Sequence, residues 1–466
     1  MKQEPGGVRS VADALRYDWA STLAWAVPGG PWEMEGLAAR AVELAVESPR
    51  TPWTVLALVE DAPLCGRLAN LHIAISALAW AKEAGRRLGR PVAPTVCLLP
   101  GRRRAMGPLY AVGARGELRR MSAPEGGPRA GLALTGAVAE VCHRDWPVAR
   151  RALAEAAAAG GDVDAGWALR IWRGLLEPLG CTVWHAGLPP LAAALTAARS
   201  TVRARSADIA ADVAAAARRL TLSGLGVAAP GQALNAAFAS GLDGHGGLLL
   251  LLSICLRPLG MVADDDDLGV LAQLSGAAAR FTGGRPALRP RPRHTLVPPA
   301  AAAFARAHGA PLADGPGALR AARDRALLGR GSPRVQRRLH DLDRSLAAAL
   351  TELEQAVSTE LPRAGGLVAA RGERLRHGVG LLRAELAARE RGRQTALAAA
   401  WRYLANTLYP LDHDQEEWLA AYPWLAAGAG GLLARLLREA AGAERRWVCW
   451  PEPGARAVGV APRRPA

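Results

Sequence analysis

The sequence predicts an α/β protein: a Rossmann-like parallel-sheet core with helical insertions and a long antiparallel coiled-coil helical hairpin near the carboxyl terminus. Two stretches carry that expectation. Trp53 to Val59 (Trp-Thr-Val-Leu-Ala-Leu-Val) is a continuous apolar run of strand length, a helical stretch follows from about Gly66 to Leu88, and Pro91 to Leu99 is a second apolar run. Unbroken apolar runs suit strands covered on both faces, and strand, helix, strand at this spacing is one crossover of a parallel sheet. Farther on, Val335, Leu339, Leu342, Leu346, Ala349, Leu353 and Ala356 step by four then three. That spacing is the seam of a helix lying along another helix.

Ser332 and Pro333 suit the cap and first turn of this helix, and Leu361-Pro362-Arg363-Ala364-Gly365-Gly366 halts it. A second helical run extends from Leu367 to about Thr407, with Leu375, Val379, Leu382 and Leu386 on the same spacing. At ~1.5 Å per residue the first helix is on the order of 40 Å long. Arg389 and Arg393 interrupt the second seam, which places that part in solvent or against another subunit. The pair reads as a projecting arm that joins two copies into a homodimer, with an internal helix pair as the other arrangement. Three regions result: a core over 1–331, the arm over 332–409, and a return to the core over 410–466.

Between core and arm the pattern is mostly helical. The first fifty residues, with Trp19, Trp25 and Trp32, read as helices packed on a larger body, and Leu153 to Leu179 as a helix before a short strand, Thr182-Val183-Trp184. Leu191 to Leu220 is one long helix or two. Gly224 to Ala229 fits the dinucleotide glycine pattern only superficially and reads as a turn, since neither strand nor long helix flanks it. Leu248 to Pro258, including the apolar Gly247 to Leu252, reads as a buried strand. Asp264-Asp265-Asp266-Asp267 reads as a solvated helix start favoured by the helix dipole rather than a magnesium site. Arg446 to Trp450 reads as a last strand returning to the sheet, with a loose tail from Pro451.

Composition narrows the class. No run approaches the ~20 apolar residues that cross a bilayer, and Met1 to Gly7 lacks the apolar core of a secretion signal, so the expectation is a cytoplasmic protein without membrane contact. The net charge is +16, but Lys2 and Lys82 are the only lysines and the arginines are spread along the chain. That is the profile of a GC-rich coding sequence, and it argues against nucleic acid as a partner. Cys65, Cys97, Cys142, Cys181, Cys255 and Cys449 form no Cys-x-x-Cys pair, which excludes a zinc or disulfide framework and leaves them as small core residues. In parallel sheets ligands sit beyond the carboxyl ends of the strands, here Glu60 to Gly66 and Pro100 to Arg104.

Particular residues resemble the bacillithiol-biosynthesis enzymes of the BshC type. Asn406-Thr407-Leu408-Tyr409-Pro410, followed by Gln415-Glu416, is similar to the family's Asn-x-Leu-Phe-Pro and Gln-Glu-Arg signature after its coiled coil. Ser253 to Pro258, containing Arg257, resembles its Leu-Leu-Arg-Pro stretch, and Gly66 to Ala81 its first glycine turn and helix. The family's Ser-Glu-Asp-His-Asp after the second strand is replaced by Pro100-Gly101-Arg102-Arg103-Arg104, and its lysine in the first helix by Ile73. Guanidinium groups do not deprotonate in proteins, so these arginines cannot perform the family cluster's proton transfers.

The resemblance implies an amide-forming ligase that joins the carboxyl group of L-cysteine to the amino group of glucosaminyl-malate, the last step of bacillithiol biosynthesis. It implies substrate binding by Gly66, Arg67, His72, Arg102, Arg103 and Arg257, with the arginines gripping carboxylates in bidentate fashion. No metal is called for, and the activating co-substrate is left open, an adenine nucleotide being the candidate. The alternative is a family member that has lost catalysis and serves as a binding or dimerising protein.

Overall fold

The computed structural model describes residues 9–10, 53–62, 65–100, 109–113, 116–121, 147–159, 163–222, 225–226, 244–361, 364–426, 429–439 and 446–449. The chain divides into two compact units. The first comprises Met1–Ala111, Arg120–Thr295 and Glu416–Val448, and the second comprises Val112–Arg119, Leu296–Gln415 and Cys449–Ala466.

The first unit is built on a five-stranded sheet. In chain order its strands are β1 (Trp53–Glu60), β2 (Val92–Leu99), β3 (Thr182–His185), β4 (Gly260–Ala263) and β5 (Ala287–Pro290). Their spatial order is β3-β2-β1-β4-β5, and every pairing is parallel. The register between β1 and β2 runs without interruption from Trp53 against Val92 to Glu60 against Leu99. The order 3-2-1-4-5 is that of a doubly wound sheet, which reverses direction between β1 and β4.

Helices cover both faces, which is why β1 is apolar throughout instead of alternating. On one face lies α1 (Leu68–Leu88), in contact with β1, β2 and β4. Trp80 of α1 packs against Gly260 of β4, so close that a Cβ at that position would stand 2.6 Å from the indole ring. On the other face Leu56, Leu58, Cys97, Leu99, Met261 and Leu288 point into a core shared with α4 (Leu191–Arg203), α5 (Ser206–Leu222), α6 (His245–Leu256) and α7 (Asp265–Thr282). The pair α2 (Pro147–Ala159) and α3 (Val163–Leu176) adjoins β3.

Several expectations change here. The apolar run at 248–252 is helix α6, not a strand: Leu249 to Leu252 are all fully buried. An all-round apolar helix shows no periodicity to separate it from a buried strand, and leucine without β-branching favours the helix. The Leu191 to Leu220 run takes the second of its two expected forms, a pair of helices broken at Ala204 and Arg205. The run from Leu153 to Leu179 splits between α2 and α3. Arg446–Cys449 is a strand, but it pairs with His294–Val297 in a separate ribbon and does not rejoin the main sheet. The expected helices of the first fifty residues, the whole of the Gly224 to Ala229 turn except residues 225–226, and the tail from Pro451 lie outside the described residues.

The second unit is helical. It contains α8 (Pro299–Ala307), α9 (Gly315–Gly331), α10 (Pro333–Glu360), α11 (Gly365–Arg393) and α12 (Thr395–Leu408). α10 and α11 pack antiparallel: the Ser332 hydroxyl donates to Glu390 at 3.3 Å, Asp343 pairs with Arg383, and the Leu350 side chain fills the notch at Gly372. α9 packs against both of them. The seam is rotated by about one residue from the expected one. Leu339, Leu346, Leu350 and Val357 turn inward, while Val335, Leu342, Ala349, Leu353 and Ala356 are exposed. Polar residues explain the rotation, because Asp343 faces Arg383 where the 4–3 reading places Leu342. The second helical run also ends early, at Arg393, where the Gln394 amide donates to the Leu327 carbonyl at 2.8 Å.

The contact between Trp80 and Gly260 makes a direct prediction. Gly260→Ala should lower the free energy of unfolding by about 1–3 kcal/mol, the range for overpacking a tight core, as read by urea denaturation. An unchanged midpoint would show that the indole is free to move.

Candidate functional site

Doubly wound sheets place ligands beyond the carboxyl ends of their strands at the point where the winding reverses. In the first unit that edge carries polar groups on both sides of the β1/β4 switch.

On the β2 and β3 side, Asp61 follows β1 directly and His185 ends β3. Their side chains are buried, and His185 Nε2 lies 3.2 Å from Asp61 Oδ2. The Asp61 amide donates to the Leu99 carbonyl at 3.1 Å, so the backbones of three neighbouring strands fix the pair. His185 Nδ1 accepts the Gly187 amide at 3.0 Å, which leaves the ring proton on Nε2, facing the carboxylate. That contact has ion-pair distance without hydrogen-bond alignment.

On the β4 and β5 side, Arg291 follows β5 and is almost wholly buried. Its Nε donates to Asp264 Oδ1 at 2.7 Å and its Nη1 to Glu416 Oε1 at 3.1 Å, while Nη2 lies 3.5 Å from Glu417. His72, one turn into α1, and His294 meet edge to face with centroids 5.4 Å apart. Burial, then His294, then the Arg291 cation hold His72 well below the ordinary imidazole range.

The aspartate run is therefore not a solvated helix start. Asp266 is exposed, but Asp264 pairs with Arg291, and buried Asp267 meets His245 Nε2 at 2.7 Å. Residues three apart at a helix start share a side, which turns Asp264 and Asp267 inward together.

The turn from β1 into α1 is tight. Cys65 (φ 66°) and Gly66 (φ 61°) are both left-handed, a conformation that costs Cys65 strain and Gly66 almost none. The Asn70 side chain donates to the Cys65 carbonyl at 3.2 Å. The segment Leu419 to Ala421 closes the turn from outside: Leu68 N–H donates to the Leu419 carbonyl at 3.0 Å, and Ala421 N–H to the Gly66 carbonyl at 2.8 Å. The first amide of α1, which a phosphate would need, already has a protein acceptor. This turn does not fit an adenine nucleotide's phosphates. Arg67 is half-buried here, and its Nε is buried without a hydrogen bond among the described residues.

Gly66, Arg67 and His72 thus share the carboxyl edge. Arg257 does not join them. It is exposed at the carboxyl cap of α6 (φ 40°), and Leu259 already pairs with Thr54 at the start of β1, so Arg257 precedes the amino edge of the sheet. Arg102 and Arg103 lie outside the described residues.

The signature residues are structural supports. In the second unit Gln415 behaves like a strand residue: its side chain accepts the Leu296 amide at 2.8 Å and donates to the Leu296 carbonyl at 2.9 Å. Asn406 donates to the Gly116 carbonyl at 2.6 Å, Tyr409 donates to that of Leu312 at 2.7 Å, and Pro410 is buried. In the first unit Glu416 neutralises Arg291. Cys65, Cys97 and Cys181 are buried, and burial pushes the Cys97 thiol up to about 12, far from a reactive thiolate. Among the described residues no group of three or more potential metal ligands occurs.

Asp61 and His185 were not foreseen. Asp61 sits in the Glu60 to Gly66 stretch flagged from the strand pattern, but its partner is more than a hundred residues away and only the sheet order joins them. The fold and edge define a doubly wound α/β protein with a buried carboxylate–imidazole pair at its switch-point edge. No family model matches the chain, and no curated protein does.

The His72 environment predicts an acid-sensitive stability. The folded state resists protonating His72 whereas the unfolded state titrates near 6.5. Stability is then unaffected above about pH 7.5 and falls as pH drops below 6.5, by at most about 1.4 kcal/mol per pH unit from this residue. In urea denaturation at pH 5, 6 and 7.5, His72→Phe should flatten the acid slope by that amount; identical slopes would refute the assignment.

Proposed function

We propose that the chain is a ligase of the BshC type, joining the carboxyl group of L-cysteine to the amino group of glucosaminyl-malate. The observation that carries the reading is the Asp61–His185 pair at the switch-point edge. With the cysteine carboxyl activated by a co-substrate, the amine attacks its carbon, the C–O bond to the activating group breaks and that group leaves with the oxygen, and the proton the amine loses passes to Asp61, positioned by His185. Arg67, with its Nε buried and without a hydrogen bond among the described residues, is the group this reading assigns to a malate carboxylate. The signature stretch adds support, since Asn406, Tyr409, Gln415 and Glu416 each make a specific bond that another side chain could not easily replace. No step is assigned to a nucleotide at the α1 turn, where the amide is already bonded.

Purified protein incubated with cysteine and glucosaminyl-malate, with and without nucleotide, should yield the condensed thiol by mass spectrometry. Asp61→Asn should reduce its rate by about 10²-fold or more. No product under any condition would exclude the ligase.

One observation favours the second reading, a family member without catalysis that binds or dimerises. The Leu419 to Ala421 segment fills the turn where doubly wound proteins commonly receive a phosphate. Both readings include α10 and α11 as a coiled-coil arm that pairs two copies. Its support is the exposed row Val335, Leu342 and Leu353, respectively 39%, 46% and 49% accessible, at heptad-related spacing on a long helix. Light scattering should give twice the monomer mass, and Leu342→Glu with Leu353→Glu should halve it; a monomer from the outset would refute the arm.

A further inference from the structure

Folding collects arginines that the sequence spreads out. Where α9 ends, α10 begins and α11 ends, the Gln394 amide reaches the Leu327 carbonyl and the Ser332 hydroxyl reaches Glu390. α9 brings Arg325 and Arg330 to this junction, both exposed. α10 adds Arg334, Arg337 and Arg338 in its first two turns, also exposed. α11 adds Arg389, Arg391 and Arg393, again all exposed. Across residues 325–340 and 386–394 the only carboxylate is Glu390, which is buried and lies 3.4 Å from Arg393.

Helix stability does not account for this cluster. Cations are favoured at the carboxyl ends of α9 and α11, where the helix dipole is negative. They are disfavoured in the first turn of α10, yet Arg334 stands there, with Arg337 and Arg338 in the turn that follows. The first turn of α10 thus holds a cation and no anion, an arrangement that an external negative group would offset.

We propose that this junction binds the phosphate backbone of double-stranded nucleic acid. Guanidinium forks match phosphate oxygens two at a time, and arginines from three helix ends at one junction offer several such forks. Tyr, Phe and Trp are all absent from residues 325–340 and 386–394, so the junction offers no platform on which unpaired bases could stack. Val335 is the one large apolar side chain exposed in these stretches, too little to insert into a bilayer interface. Recognition is of backbone charge, independent of sequence.

The test is fluorescence anisotropy of the full chain with a labelled 20-base-pair duplex of mixed sequence, titrated at 50 to 200 mM salt. The expected result is binding in the range of about 1–10 μM at the lowest salt, with log affinity falling linearly with log salt at a slope of about −4 to −5, the signature of counterion release from several contacts. Arg334→Ser, Arg338→Ser, Arg391→Ser and Arg393→Ser together should weaken binding at least about tenfold and reduce the slope by about 3 to 4. A control losing the same charge elsewhere, Arg218→Ser, Arg371→Ser, Arg374→Ser and Arg376→Ser, should stay within about twofold, with thermal midpoints confirming that both variants fold. Equal losses in the two variants would assign the binding to net charge and overturn the proposal, as would absence of binding or preference for anionic phosphatidylglycerol vesicles. Loss of dimer mass in the junction variant with duplex binding intact would mean that the arginines face a second copy, which also overturns it. The ligase assay is independent of every one of these outcomes.

Discussion

The buried guanidinium of Arg291 is the constraint around which the carboxyl edge of β4 and β5 is arranged. An unpaired charge in a core costs several kcal/mol, and removing one partner of a buried pair typically costs about 3–5 kcal/mol. Arg291 therefore needs carboxylates brought to it, and they come from distant parts of the chain: Asp264 at the start of α7, and Glu416 with Glu417 from the carboxyl-terminal segment. The same cation helps keep His72 neutral. The segment that supplies Glu416 continues to Leu419 and Ala421, which close the turn into α1. A chain that satisfies Arg291 has thereby positioned the backbone that takes the first amide of α1.

That linkage gives the signature residues a physical meaning. Gln415 replaces a strand's backbone with its own amide, matching donor to acceptor on Leu296, a task for which a carboxylate lacks the donor and an apolar residue lacks both. Glu416 is itself fully buried and meets the buried Arg291 cation at 3.1 Å. A sequence motif at this place records how the fold closes, and chemistry has to be sought in other residues. Asp61 and His185, fixed by three strands, belong to no such motif.

How much was legible follows from the range of each signal. β1, β2 and α1 could be read because eight-residue apolar strands and a twenty-one-residue helix carry their pattern locally. β4 and β5 could not: each is only four residues, β4 follows closely on the apolar run read as a strand, and β5 contains Arg289 and Pro290, whereas the equally short β3 has a clear break before it at Gly180. Arg289 is tolerated there because its guanidinium lies 5.7 Å from the ring of Trp80. The helix α6 was misread because complete burial erases periodicity. In the site, the carboxyl edge was legible from topology and Arg67 and His72 were placed on it, whereas Arg257 was misplaced because a motif match does not say which edge of a sheet it meets.

The rotated seam of α10 shows how the unread part arises. Judged by apolar spacing alone, Leu342 and Leu353 belong inside with Leu339 and Leu346. A one-residue step turns a helix by about 100°, and the observed face is the one that brings Asp343 to Arg383 and Leu350 to Gly372. Bringing Asp343 to Arg383 satisfies both charges, and Leu350 into the space left by Gly372 recovers close packing that a larger residue would forbid. The leucines left outside then form their own row beside the arginines at the start of the helix. Both features that would meet a partner, apolar and basic, are consequences of the polar choice made on the opposite side of the same helix.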